Sequence, residues 1–193
     1  MDAGATFTGD MTMAAQMQQG NAGKGNSWRL AVWGTAAGLL LLPAIAMQLG
    51  AEGVLWTASD FVVMGLLLGS CCAAYEVATR MSGNTAYRLG FALGILIGFL
   101  LVWINLAVGI IGGEGNPANL VFAVVLLVGA IGSLLAQLRA AGMARAMVAT
   151  GIAQLLAGAY ALALGSTEGG ILSAIFAAMW LASAALFRRA ALQ

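Results

Sequence analysis

Polar and apolar positions separate into blocks along this chain instead of alternating singly. Residues 1–27 are polar, rich in Gly, Gln, Thr and Met, and carry neither a helical nor a strand period. Six apolar runs follow, at about 28–49, 57–79, 87–111, 117–138, 146–164 and 170–187. Each is close to the ~20 residues that cross ~30 Å of hydrocarbon at ~1.5 Å per residue. The runs are continuous, not the short alternating segments of a barrel, so they predict helices. The pattern therefore predicts an all-α membrane protein, a bundle of six transmembrane helices. It is preceded by a disordered polar tail over 1–27, makes one domain over 28–189 and closes with a short tail over 190–193.

Composition supports a bilayer as solvent. Apolar residues make up 62% of the chain and charged residues 8%, too few to cover the surface of a soluble domain. The placement of those charges adds orientation. Every base lies at alternate connections: Lys24 and Arg29, Arg80 and Arg88, Arg139 and Arg145, Arg188 and Arg189. The intervening connections carry Glu52 and Asp60, Glu114, and Glu168, and no base. Short loops rich in Lys and Arg stay cytoplasmic, which predicts that both termini lie on the cytoplasmic side. One alternative stands beside this. Arg29, the run to Leu42, Pro43 and Ala44-Ile45-Ala46 also read as a signal peptide with its cleavage site, which would leave five helices.

Several chemistries lack their residues. The chain has no His, which excludes imidazole-ligated metals, His-bound haem and His-dependent triads. Its one Lys, Lys24, lies in the polar tail, so no buried lysine is available for a Schiff base. Adjacent Cys71 and Cys72 read as small packing residues, with redox or metal chemistry as the other reading. Met11, Met13 and Met17 read as part of the tail, with a soft copper(I) site as the alternative. No cofactor or resident metal is expected. Without a basic patch nucleic acid is not a partner, and an enzyme is the least supported class.

Within a bilayer, helices associate through close backbone approach at small residues. Gly34/Gly38, Gly65/Gly69, Gly90/Gly94/Gly98, Ala157/Ala161 and Ala174/Ala178 supply that spacing. The triple glycine stripe predicts either packing within the chain or a homodimer through Gly90, Gly94 and Gly98. Pro43 predicts a bend late in the first helix. Glu76 and Arg80 stand at the spacing of an intrahelical ion pair, with an inner proton-accepting Glu76 as the alternative. Gln137 and Gln154 read as interhelical hydrogen-bonding residues.

The segment Trp103–Asn119 carries the richest polar chemistry. Asn105 would sit within the third helix, Gly109, Gly112 and Gly113 permit unwinding, and Glu114 follows on the turn. Asn116 and Pro117 suit the cap and first position of the fourth helix. A capped tight turn explains this pattern. The functional alternative gathers Asn105, Glu114, Asn116 and Asn119, with Asp60, around a cation, proton or polar solute, as broken helices do in transporters. Thr57 and Asp60 also read as a capping box for the second helix.

Asn116-Pro117-Ala118 matches the signature triplet of aquaporins, but the chain has one such triplet where aquaporins have two, and no His. The segments Ala107–Gly112, Asn116–Asn119 and Gly142–Ala146, with Arg139, resemble small polytopic bacterial inner-membrane proteins of unassigned function. That resemblance implies a plasma-membrane setting and no activity. Two functions follow from the residues: a structural, accessory or regulatory membrane component with a membrane-protein partner, or a small transporter or channel for a cation or polar solute.

Overall fold

A computed structural model of the chain describes residues 29–113 and 115–193. The tail with Met11, Met13, Met17 and Lys24, and also Trp28 and Glu114, lies outside the described residues. Among the described residues there is no strand, and six helices are each long and apolar enough to cross a membrane. They are α1 (Arg29–Gln48), α2 (Ala58–Met81), α3 (Thr85–Ala107), α4 (Leu120–Leu135, long enough together with the turn from Pro117), α5 (Ala140–Ala163) and α6 (Thr167–Ala191). A single 3₁₀ turn, Pro117–Asn119, leads into α4. This is the make-up of a multi-pass membrane protein.

Several helix ends differ from the hydropathy pattern, four of them for a visible local reason. α3 stops at Ala107, short of Ile111, because Val108 leaves helical geometry and Gly109 is left-handed at φ 75°. α4 stops at Leu135, short of Leu138, because Gln137 and Leu138 are left-handed at φ 50° and 56°. α5 starts at Ala140, six residues before Ala146, and α6 extends to Ala191 past Phe187. Arg145, Arg188 and Arg189 are thus helical residues. A long arginine side chain can lie along apolar surface with its charge at the interface, so it interrupts hydropathy without interrupting the helix.

Contacts divide the chain into two compact units, one ending at Cys72 and one running from Ala73 to Gln193. In the first, α1 continues through Pro43, and the side chain of Leu40 approaches Gly65 of α2. At the start of α2, Trp56 and Phe61 set their ring centroids 5.1 Å apart.

The second unit holds the core. Its interior is built from α3, α4, α5 and α6, and α5 and α6 share the most extensive contact. Small residues let these two backbones meet. A Cβ on Gly158 would stand 2.6 Å from Ser173 Cβ, and one on Gly151 would stand 3.5 Å from Trp180 Cβ. Gly129 and Gly132 of α4 similarly face Thr150 and Ala146 of α5. The Gly90/Gly94/Gly98 stripe packs inside the chain: Gly90 against Leu186 and Phe187, Gly94 against Met147, Ser183 and Trp180, and Gly98 against Leu126. These contacts account for the glycines without a second copy.

Two hydrogen bonds lock the end of this unit where α3 begins. Tyr87 donates to the Leu138 carbonyl at 2.7 Å, holding the left-handed turn between α4 and α5. Ser183 donates to the Gly90 carbonyl at 2.8 Å, joining α6 to α3. Tyr87, Phe91 and Phe187 fill the space between them, with centroids 5.3 Å apart for Tyr87–Phe187 and 6.4 Å for Phe91–Phe187. Arg80 pairs with Glu76 one helical turn away, as their spacing predicts.

The seam yields a contrast between two glycines. Gly158→Ala should lower the unfolding temperature of the detergent-purified protein by several degrees. The inserted methyl overpacks the α5–α6 contact, which typically costs about 1–3 kcal/mol. Gly34→Ala, where nothing stands within 4 Å of the new methyl, should be neutral or slightly stabilising. Thermal unfolding followed by circular dichroism reads both.

Candidate functional site

Between the end of α3 and the 3₁₀ turn at Pro117 the described residues form neither helix nor strand, so their backbone groups need partners from elsewhere. Asn119 supplies them. Its Oδ1 accepts from the Ile110 N–H at 3.1 Å and from the Ile111 N–H at 2.8 Å. Its Nδ2 donates to the Gly113 carbonyl at 2.7 Å and, at 3.4 Å, to that of Ile111. Gly112 and Gly113, at φ 65° and 113°, let the loop curl round this one amide. Asn116 caps the following turn, its Oδ1 accepting from the Ala118 N–H at 3.0 Å, with Pro117 in first position as the sequence suggests.

The same loop is tied to the connection between α5 and α6. Ser166 caps α6 by accepting from the Gly169 N–H at 3.2 Å, and its hydroxyl lies 3.3 Å from the Ile110 carbonyl as a donor. Between the two connections lies a cleft of about 810 Å³, lined by Ile111, Asn116, Pro117, Tyr160, Ser166 and Glu168 among others. It presents an amide, a phenol, a hydroxyl and one carboxylate, a set suited to a small polar or cationic solute.

Of the five residues of the sequence-derived site, two belong to the loop beside this cleft. Asn116 lines the cleft, and Asn119 holds its floor through the loop. Asn105 lies in the last turn of α3, not well inside a longer helix, and its Nδ2 donates to the Leu101 carbonyl of its own helix at 2.7 Å. Glu114 lies outside the described residues. Asp60 belongs to the unit ending at Cys72, where it caps α2: its Oδ2 accepts from Thr57 N at 2.7 Å and from Thr57 Oγ1 at 2.8 Å. Among the described residues, no three acidic or Cys side chains gather as a metal site would require.

A second group of polar side chains lies in the seam. Gln154 is 0% exposed, Ser173 1% and Trp180 4%, and the side-chain polar atoms of all three lack a hydrogen-bond partner among the described residues. Gln154 stands on α5 between Gly151 and Gly158, the two glycines that meet Trp180 and Ser173. It therefore sits between those two residues in height along the seam. Asn105 Oδ1 is also buried and unpartnered. The interhelical hydrogen bond expected of Gln154 is not formed among the described residues, although the side chain is buried. Gln137 instead occupies the left-handed turn after α4. The signal for Gln154 was present in the sequence: small residues at i−3 and i+4 place it on the close-packed face of α5. Tyr160 and Ser166, by contrast, join the cleft only through the tertiary approach of two loops.

The chain matches no protein-family model, no curated protein and no solved structure.

Asn119 is the residue on which the cleft depends. Asn119→Ala should destabilise the protein by about 2–4 kcal/mol, since it leaves the buried Ile110 and Ile111 N–H groups unpaired. Asn119→Asp, which keeps the acceptor and loses the donor, should cost clearly less. Chemical denaturation in mixed micelles and protease cutting within 108–116 measure the two changes.

Proposed function

We propose that this chain is a multi-pass protein of a bacterial plasma membrane, with both termini in the cytoplasm, serving as a structural, accessory or regulatory component for a membrane-protein partner. The observation that carries the functional part is where the polar side chains are committed. Asp60, Asn116 and Asn119 serve the chain's own backbone at helix starts and in one loop, and Asn105 donates to its own helix. A polar inventory engaged in this way suits a scaffold better than a solute path.

Orientation is supported by how the second unit packs. Its antiparallel helices bring Arg88, Arg139, Arg145, Arg188 and Arg189 toward the end where Tyr87 meets Leu138 and Gly90 meets Phe187. Glu168 and the 108–119 loop lie at the other end. Short basic ends favour the cytoplasmic side. The resemblance to small inner-membrane proteins agrees with this setting.

A second reading, a small transporter or channel for a cation or polar solute, is favoured by two observations. One is the cleft with Asn116, Tyr160 and Glu168. The other is Gln154, because an amide with both ends unpartnered inside a membrane helix pair attracts a polar guest.

Orientation is tested with single cysteines in a Cys71→Ser/Cys72→Ser background. Gln193→Cys should resist a membrane-impermeant maleimide on intact cells and react after permeabilisation, while Glu168→Cys should react on intact cells. The reverse labelling would refute the termini-inside assignment. The two functions are separated by flux: proteoliposomes holding the purified protein should pass protons, Na⁺ and K⁺ no faster than empty liposomes. A flux abolished by Glu168→Gln or Gln154→Leu would establish the transporter reading instead.

A further inference from the structure

At the basic end of the second unit, α5 and α6 border an open cavity of about 550 Å³ lined by Ala141, Ala144, Arg145, Val148, Arg188 and Leu192, with Ala191. One arginine comes from each helix. Of the other arginines at this end, Arg80 pairs with Glu76, and Arg88 donates to the Ser82 carbonyl at 2.8 Å and to that of Thr79 at 2.9 Å, while Arg139 and Arg189 lie outside this lining. Arg145 and Arg188 have neither an ion pair nor a hydrogen bond among the described residues. Among the described residues no carboxylate lines this cavity, so two permanent positive charges border the same space.

The rest of the lining is apolar, and the surface continues so along both helices. Val148, Ile152 and Leu155 follow Arg145 on one stripe of α5, at i+3, i+7 and i+10. Ile152 is 54% exposed, and Leu181, two turns before Arg188 on α6, is 45% exposed. A Cβ on Gly151 would lie 3.5 Å from Leu181 Cδ2, so the two stripes run side by side. The ligand that fits is therefore amphipathic: an anionic head between two guanidinium groups and an apolar body along α5 and α6.

We propose that Arg145 and Arg188 form a binding site for the headgroup phosphate of an anionic phospholipid, whose acyl chains lie along the Val148–Ile152–Leu155 and Leu181 surfaces. Guanidinium groups match phosphate oxygens with paired, charge-assisted hydrogen bonds. Basic pockets between transmembrane helices hold anionic headgroups on the same terms. The apolar continuation argues for a lipid and against a free anion. The site requires the chain to sit in a bilayer but does not depend on which side its termini face, nor on the scaffold or transporter reading.

The test uses the full chain in neutral detergent, with phosphatidylglycerol, phosphatidylcholine of the same acyl chains, or inorganic phosphate added, and reads bound lipid by native mass spectrometry and unfolding temperature in parallel. Phosphatidylglycerol should bind and raise the unfolding temperature, and the other two should not. At about 1 kcal/mol for each basic residue near a headgroup, Arg145→Gln and Arg188→Gln should each weaken binding about fivefold, and together about twenty-five-fold. Arg139→Gln/Arg189→Gln, which removes the same charge outside the cavity, should leave binding within about twofold of wild type. Should the Arg145→Gln/Arg188→Gln protein fail to fold, the single variants decide the matter. Equal binding of phosphatidylcholine, equal protection by inorganic phosphate, unchanged affinity in the single variants, or an equal loss in the Arg139/Arg189 control would each overturn the site.

Discussion

The second unit depends on the approach of α5 to α6, and hydrocarbon dictates how that approach is made. Lipid chains are as apolar as leucine, so burying leucine against leucine gains little over leaving it in the bilayer. What remains is close contact, which needs absent side chains. Gly158 opposite Ser173 and Gly151 opposite Trp180 provide it on α5, and Gly90 and Gly94 provide it where α3 meets α6. Large apolar side chains such as Leu156 and Ile171 stay exposed, the reverse of a soluble bundle. The large residues that are buried, Phe122 and Phe187 among them, fill the gaps between helices that the small residues have already set.

The same solvent explains why polar side chains turn to the chain's own backbone. In water, the loop after α3 could leave its N–H groups hydrated. At a membrane boundary an unpaired backbone group is costly, so one amide, Asn119, satisfies four loop groups. The glycines at 112 and 113 allow the loop to close round it, and Ser166 then links the loop to the cap of α6. The cleft beside Asn116 and Glu168 is a consequence of this fastening: two connections held together by one serine leave a polar recess between them.

The number of helices was legible because hydropathy is averaged over some twenty positions and one misplaced residue changes little. Their ends were not, because ends are decided by single residues. Val108-Gly109-Ile110-Ile111 is as apolar as a helix interior, and the change of backbone at Val108 and Gly109 leaves no mark on hydropathy. Arg145 produces the opposite error, a charge that looks like a boundary and is carried inside α5. Caps were readable at Asp60 and Asn116 because a cap is made within three or four residues. Asn119 was readable only as a polar group near a turn, since its partners at 110, 111 and 113 come into place after the loop has left the helix. The glycine stripe of α3 showed that something packs closely, but not what. Spacing specifies a face, and the partner is chosen by tertiary structure.

The seam also limits what Gln154 can do. Its neighbours Gly151 and Gly158 face α6 so closely that Gly158 has no room for a methyl group. An unpartnered amide there, with Ser173 on one side along the seam and Trp180 on the other, attracts a polar guest. With Gln154 fully buried, a solute reaches its amide only if α5 and α6 separate. Separation would sacrifice the contacts that hold the unit together, so any solute role for Gln154 requires the seam to have two states. A scaffold needs only one. The basic end of the same two helices, where Arg145 and Arg188 face one cavity, is where a bound lipid would bear directly on that spacing. The polar seam and the lipid site are thereby joined through the two helices they share.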